Sequence, residues 1–227
     1  MPSDRVLPAL RAEAGQLAAA VRELPAEDWA RPTPCPPWNV AGLLGHVVTI
    51  LEWLPGMLAA PAPPRAAVSA AGYYRPDHRF ANGTNAARIG LAQRRAASVA
   101  DGAALAVEFD DTWRRIADLC AREPADRVVR TRHGDAMLLT DFLVTRIVEL
   151  GIHGLDLAGA LDRPPWLTPA AAGVLTDLLL PEQGIAAVAD LGWDEITFLH
   201  KATGRRPLTP AETARVEQHG IRWLTLR

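Results

Sequence analysis

The stretch RIVELGIHGLDLAG, residues 146–159, sets Glu149 and His153 four positions apart in an otherwise apolar run. At roughly 100° per residue on a helix, Arg146, Glu149, His153 and Asp156 fall within about 80° of arc and face one way. A helix that is apolar on its remaining faces belongs inside the protein. A carboxylate and an imidazole in such a place need partners from elsewhere in the chain.

Working outward, helical periodicity dominates. Val6, Leu7, Leu10, Leu17, Val21 and Leu24 form one apolar stripe over residues 4–24. RPTPCPPW then breaks the chain, since its prolines forbid a continuing helix. Asn39 reads as the N-cap of a second helix starting at Val40, which Pro55-Gly56 kinks or ends. Residues 59–84 are proline-rich and aperiodic, a long loop suited to a lid or to a plain surface excursion.

A third helical region covers 85–122, with a break expected at Asp101-Gly102. RVVRTRHGDAMLL predicts a hairpin with HGD at its turn, His133 being a turn residue, and Thr140 is placed as the cap of the helix carrying the opening motif. Thr168-Pro169 and Thr209-Pro210 each read as an N-cap followed by proline, with Glu212 completing a capping box. The final GIRWLTLR suggests a strand, and His200 and His219 read as solvent-facing. The expected architecture is mainly α: a four-helix bundle over residues 1–163 and a short α(+β) extension over 164–227.

Composition narrows the function classes. The 227 residues carry a formal charge of −2, with no basic footprint for nucleic acid and no charge run. The first thirty residues lack the pattern of a signal peptide, and no apolar run is read as long enough to cross a bilayer. Two cysteines, Cys35 and Cys120, make no disulfide framework and suit a reducing compartment. The expected setting is cytoplasmic, as a monomer or homodimer with neither nucleic acid nor membrane as a partner.

Two side chains do not make a metal site; a catalytic zinc usually takes three protein ligands and keeps one position open. His46, amid Leu43, Leu44, Val47 and Ile50 on the second helix, is the candidate third. If that helix faces the 146–159 helix, His46, Glu149 and His153 form a His2Glu set. Asp156 would then accept the outer ring N–H of a ligand histidine, and Arg146 would pair with Glu149 or an anionic substrate. The competing reading is a buried Arg–Glu–His–Asp network that only fixes helix register.

ARPTPCPPWNVAGLLGHV resembles the opening signature of the DinB-like, mycothiol-dependent maleylpyruvate isomerase family, and TRIVELGIHGLDLAGAL resembles its second signature. The resemblance spans about residues 5–163 and implies a DinB-like up-down four-helix bundle whose metal ligands are His46, Glu149 and His153. It also implies Zn2+ as the ion and mycothiol as co-substrate. EITFLHKATGRRPL resembles a segment of the family's tail, from which related isomerases direct an arginine at substrate; Arg205 is the matching position and Arg206 the fallback. The tail here reads as a truncated form of that domain. Pro37 stands where the family commonly has glycine, and Trp38 reads as core. Cys35, between prolines with no charge partner in view, reads as a small buried side chain.

An open position on such an ion lowers the pKa of bound water from about 15.7 to about 7, or deprotonates a bound thiol outright. The resemblance implies the second: a thiol S-transferase or isomerase acting on an electrophilic small molecule. The long loop, with Tyr73, Tyr74, Arg75, His78 and Arg79, is expected to close over the site, Tyr74 and Arg75 touching substrate. Two other readings stand beside it. One is a thiol-independent metal-dependent hydrolase, lyase or cyclase of specialised metabolism. The other is a non-catalytic binding protein in which the metal is a staple.

Overall fold

Val6, Leu10, Leu17 and Val21 are all buried, and the stripe they form seats α1 (Val6–Arg22) in the core. The structure is a computed structural model and describes residues 3–75, 77, 81–180 and 184–219. Helix α2 (Val40–Leu51) starts where Asn39 Oδ1 accepts the Gly42 N–H at 2.8 Å. It stops at Leu51 and resumes as α3 (Trp53–Ala59). The break precedes Pro55 because proline has no N–H for the Leu51 carbonyl and its ring crowds that oxygen.

The segment expected to be plain loop contains α4 (Ala70–Tyr73), one turn capped by Ser69 Oγ on the Gly72 N–H. Tyr73 and Tyr74 are buried by it. Next come α5 (Asn82–Ala97) and α6 (Gly102–Cys120), split where Asp101 Oδ1 accepts the Ala104 N–H at 2.8 Å.

Strands β1 (Val128–Arg130) and β2 (Ala136–Leu138) pair antiparallel, with Val129 opposite Met137. Gly134 takes a positive φ of 92° in the turn. The next helix, α7 (Leu139–Ala160), follows without a gap, so Thr140 is not its cap. The hairpin does that work: the Leu139 N–H donates to the Arg127 carbonyl at 2.7 Å, satisfying a donor the first turn would otherwise orphan.

Helices α1 and α2 each pack against both α6 and α7, closing a four-helix ring. The sheet hairpin sits between α6 and α7 in sequence, and α5 covers the outside of α2. From Phe142 to Ala158 every residue of α7 except Glu149 is buried. The polar residues of the opening stretch therefore lie in the middle of the protein.

Beyond the bundle run α8 (Pro169–Leu179), α9 (Gly184–Asp190), α10 (Glu195–Ala202) and α11 (Pro210–Gln218). Thr168 and Thr209 cap α8 and α11, and Thr209 and Glu212 form the expected capping box. Helix α8 packs on α1 and α7, its start held by Glu13, whose Oε2 accepts from Thr168 Oγ1 at 2.7 Å and Thr168 N at 2.9 Å. Among the described residues no strand lies after position 163, and GIRWLTLR falls outside them.

One expectation about apolar runs needs correcting. Val40–Ala59 is 20 residues long with a mean hydropathy of 1.4, enough by length and composition for a membrane span. Two-thirds, 67%, of its most apolar 18-residue window is buried inside the bundle, where the apolar side chains meet protein.

Candidate metal centre

His46 on α2 and His153 on α7 turn their Nε2 atoms to the same oxygen, Glu149 Oε2, at 3.3 and 3.2 Å. The two rings stand nearly perpendicular, 5.2 Å apart at 87°. Trp38 stacks on one face of His46, 4.7 Å between centroids and 20° between planes, and meets His153 edge-on at 6.4 Å. It is held there by the proline loop, in which Thr33 Oγ1 donates to the Trp38 carbonyl at 2.7 Å and the Trp38 N–H donates to the Cys35 carbonyl at 3.0 Å.

The donor set suits a divalent ion. A tetrahedral ion with bonds of about 2.0–2.2 Å holds its ligand atoms roughly 3.3–3.5 Å apart. The two nitrogen–oxygen spacings here sit close to that, at the long end for direct hydrogen bonds. Burial pulls His46 down to about 4, with Glu149 opposing only in part, which favours the neutral ring a ligand needs; His153 is shifted the other way and gives up a proton if it binds an ion. Burial pushes Glu149 up, but hydrogen bonds from His153 and His46 outweigh it and hold the carboxyl well below the usual range.

Behind His153 runs a second layer. Its Nδ1 lies 3.0 Å from Asp156 Oδ2, the partner expected from the i, i+3 spacing. Burial lowers His153, yet bonds to Asp156, Cys35 and Glu149 prevail and raise its pKa well above the ordinary imidazole value. Burial likewise raises Asp156, but His153 and Arg205 more than reverse it. Arg205 Nη2 and Nε donate to the two oxygens of Asp156 at 2.9 and 3.2 Å.

Cys35 does have charged neighbours, contrary to the sequence reading: its Sγ lies 3.2 Å from Asp156 Oδ2 and 3.9 Å from Arg205 Nη2. Sequence distances of 121 and 170 positions hid both contacts.

This cluster forms one wall of a cavity of about 510 Å³, within the range of small-molecule sites. Arg146 lines it too and does not pair with Glu149. Its Nε reaches Thr145 Oγ1 at 3.2 Å, Nη1 reaches the Ile50 carbonyl at 3.4 Å, and the guanidinium lies 4.7 Å over the Phe142 ring. Among the described residues Nη2 has no hydrogen-bond partner and no carboxylate forms an ion pair with Arg146, although it is only 1% exposed.

Tyr74 lines the cavity with its hydroxyl donating to the Thr145 carbonyl at 3.2 Å, whereas Arg75 is exposed and outside the lining. His78 and Arg79 fall outside the described residues. His133 is a turn residue that also faces the cavity, and His200 is half-buried where a solvent-facing ring was expected. Asn85 and Arg88, three apart on α5 and joined at 2.9 Å, line the cavity as well. Their spacing puts them on one helix face, but nothing in the sequence says what that face meets.

Residues 10–158 match the mycothiol maleylpyruvate isomerase N-terminal domain family. An uncharacterized protein found in two strains of Mycobacterium tuberculosis is 28% identical over 250 aligned positions, which cover 96% of this chain and 91% of that one. Crystal structures of the mycothiol-dependent maleylpyruvate isomerase and of a histidine-to-alanine mutant of it superpose with TM-scores of 0.53 and 0.51. Identity is 16% and 14%, and each match covers 81% of this chain and 73% of the other, a likeness of fold.

Proposed function

The chain belongs to the mycothiol maleylpyruvate isomerase N-terminal domain family, and from that premise we propose that it is a metal-dependent enzyme joining a small thiol to an electrophile. Zn2+ is the proposed ion, His46, Glu149 and His153 its ligands, and mycothiol the proposed thiol. The outcome is isomerisation if the thiol is expelled again and S-transfer if it is kept. The observation that carries the reading is the meeting of three donors from two helices on the wall of a ligand-sized cavity.

A divalent ion held by these residues would supply a Lewis acid at which a thiol loses its proton near neutral pH. The chain's own groups supply the rest. Asp156 accepts from His153 Nδ1 and so leaves Nε2 to face Glu149. Trp38 fixes the plane of His46. Ile50, Trp53, Tyr73 and Ile89 make the cavity's apolar walls, which exclude water from a reacting anion. Arg146 offers Nη2 to an anionic group of the electrophile, the counter-charge its burial lacks. Free Cys35 and Cys120 suit the reducing setting in which a small thiol is maintained.

Metal analysis of the purified protein and of His46→Ala is the first test, expected to give about one equivalent and almost none. The second is consumption of mycothiol with a generic electrophile, expected to stop when the metal is chelated. Full metal in His46→Ala overturns the ligand set; a metal-loaded protein that consumes no thiol overturns the chemistry.

A further inference from the structure

Arg205 reaches the bundle through the way α10 ends. Thr203 is the C-cap, Gly204 follows at φ 75°, and the Gly204 N–H donates to the Lys201 carbonyl at 3.1 Å. The Arg205 N–H then donates to the His200 carbonyl at 2.7 Å. This paired closure is a Schellman motif, which needs a left-handed residue and is met without strain by glycine. It turns the chain so that the residue after the glycine points back at α7.

There the guanidinium grips both oxygens of Asp156 and adds a third bond, Nη1 to the Thr203 carbonyl at 3.0 Å. Asp156 Oδ2 is also the oxygen that receives His153 Nδ1 and the Cys35 thiol. With the Asp156 side chain only 1% exposed, its negative charge has no solvent to fall back on. Without Arg205, the carboxylate is free to rotate off His153 or to take up a proton, and the ring behind it loses its fixed orientation.

We propose that Arg205 is a positioning residue, holding the Asp156 carboxylate so that it locks the His153 ring with Nε2 aimed at Glu149. The resemblance implies a substrate-directed role for that arginine; here three of its five N–H groups are engaged by Asp156 and Thr203 while the residue also lines the cavity, so positioning is the role these bonds support. Cys35, His153 and Asp156 also converge as a potential ligand group. The same guanidinium supplies the positive charge there, so no second ion is placed on them. The metal part of the inference rests on the proposed centre, while the orientation of His153 does not.

The test measures zinc affinity by competition with a chromophoric chelator, and the His153 ring by nitrogen-resolved NMR of the metal-free protein. Arg205→Ala is expected to bind zinc about 10–100-fold more weakly and to lose the protected Nδ1–H signal. Arg205→Lys recovers part of both, because a point charge cannot grip two oxygens in a plane. Arg206→Ala, at an exposed neighbour, is expected to match wild type. Wild-type affinity together with an unchanged ring signal in Arg205→Ala overturns the proposal. If wild type itself binds no zinc, the metal reading fails, and the ring signal alone decides the positioning role. If Arg205→Ala does not fold, Arg205→Lys decides: a ring signal and affinity equal to wild type overturn the proposal, and a partial loss supports it.

Discussion

The indole of Trp38 lies flat against the imidazole of His46, 4.7 Å between ring centroids with 20° between their planes. The loop residue thus sets the tilt of a helix side chain eight positions later. Removing the indole opens a space in the core beside the donor cluster. Trp38→Ala is expected to cost about 3–5 kcal/mol in urea denaturation, while Trp38→Phe keeps the stacked face and most of the zinc affinity. A Phe variant as defective as the Ala variant would show that the stack contributes nothing beyond volume.

A ligand that binds only the folded state stabilises it by mass action, by about 2.7 kcal/mol when present at 100 times its Kd. For a chain of this size that is a Tm change of roughly 5–10 °C. Stripping zinc with a chelator should lower the Tm of wild type by that order and leave His46→Ala unmoved. Scanning calorimetry on both proteins, with and without chelator, checks it.

In the proposed function Arg146 serves as an anion site. A buried cation without a described carboxylate partner costs desolvation energy that its contacts with Thr145, Ile50 and Phe142 offset in part and a bound anion would offset further. Arg146→Met is expected to raise Tm by a few degrees while keeping the metal. A small dicarboxylate, titrated into both proteins, should raise the Tm of wild type and not that of the variant. Equal responses from the two would remove Arg146 from ligand binding.

Glu13 gives the pH prediction. Burial pushes its carboxyl above the ordinary value, and the hydrogen bonds from Thr168 only partly oppose this. A carboxyl raised by folding favours the native state below its unfolded pKa, and this contribution is lost as pH rises through the folded value. Glu13→Gln keeps an acceptor for Thr168 without the charge. Its Tm relative to wild type should therefore climb as pH rises from about 4 to 7; a flat difference would mean that the carboxylate is fully compensated.

Gly45 allows α2 and α5 to touch. A Cβ there would stand 2.7 Å from the Ala92 carbonyl oxygen, on rigid helix backbone. Gly45→Ala should destabilise by roughly 1–2 kcal/mol, the overpacking outweighing the helix propensity gained. Unfolding in urea measures the balance, and a stabilised variant would show that α5 can shift away.

What the sequence disclosed and what it withheld follow one line. Signals contained in a few consecutive residues were legible: the Asn39, Thr168 and Thr209 caps, the break at Asp101-Gly102, the hairpin around Gly134, and the shared face of Glu149, His153 and Asp156. Helix α4 was missed because four residues are too few for any periodicity, and only Ser69 announces it. Thr140 looked like a cap because a strand feeding straight into a helix leaves no local mark; the Arg127 carbonyl that serves α7 comes from across the hairpin. A glycine inside TGRR is the local mark of a helix stop, but nothing in the segment says that the turn delivers Arg205 to Asp156. Likewise the neighbours of Cys35 come from α7 and from beyond α10, distances that no motif spans.

The ion pair between Asp156 and Arg205 joins positions 49 apart in the chain. At a synthesis rate of about 5–20 residues per second, the acid emerges roughly 2–10 s before the base. A nascent bundle therefore passes through an interval in which the anion at its heart has only His153 and Cys35 to hold it, a period in which a chaperone or a stray cation has its best opening.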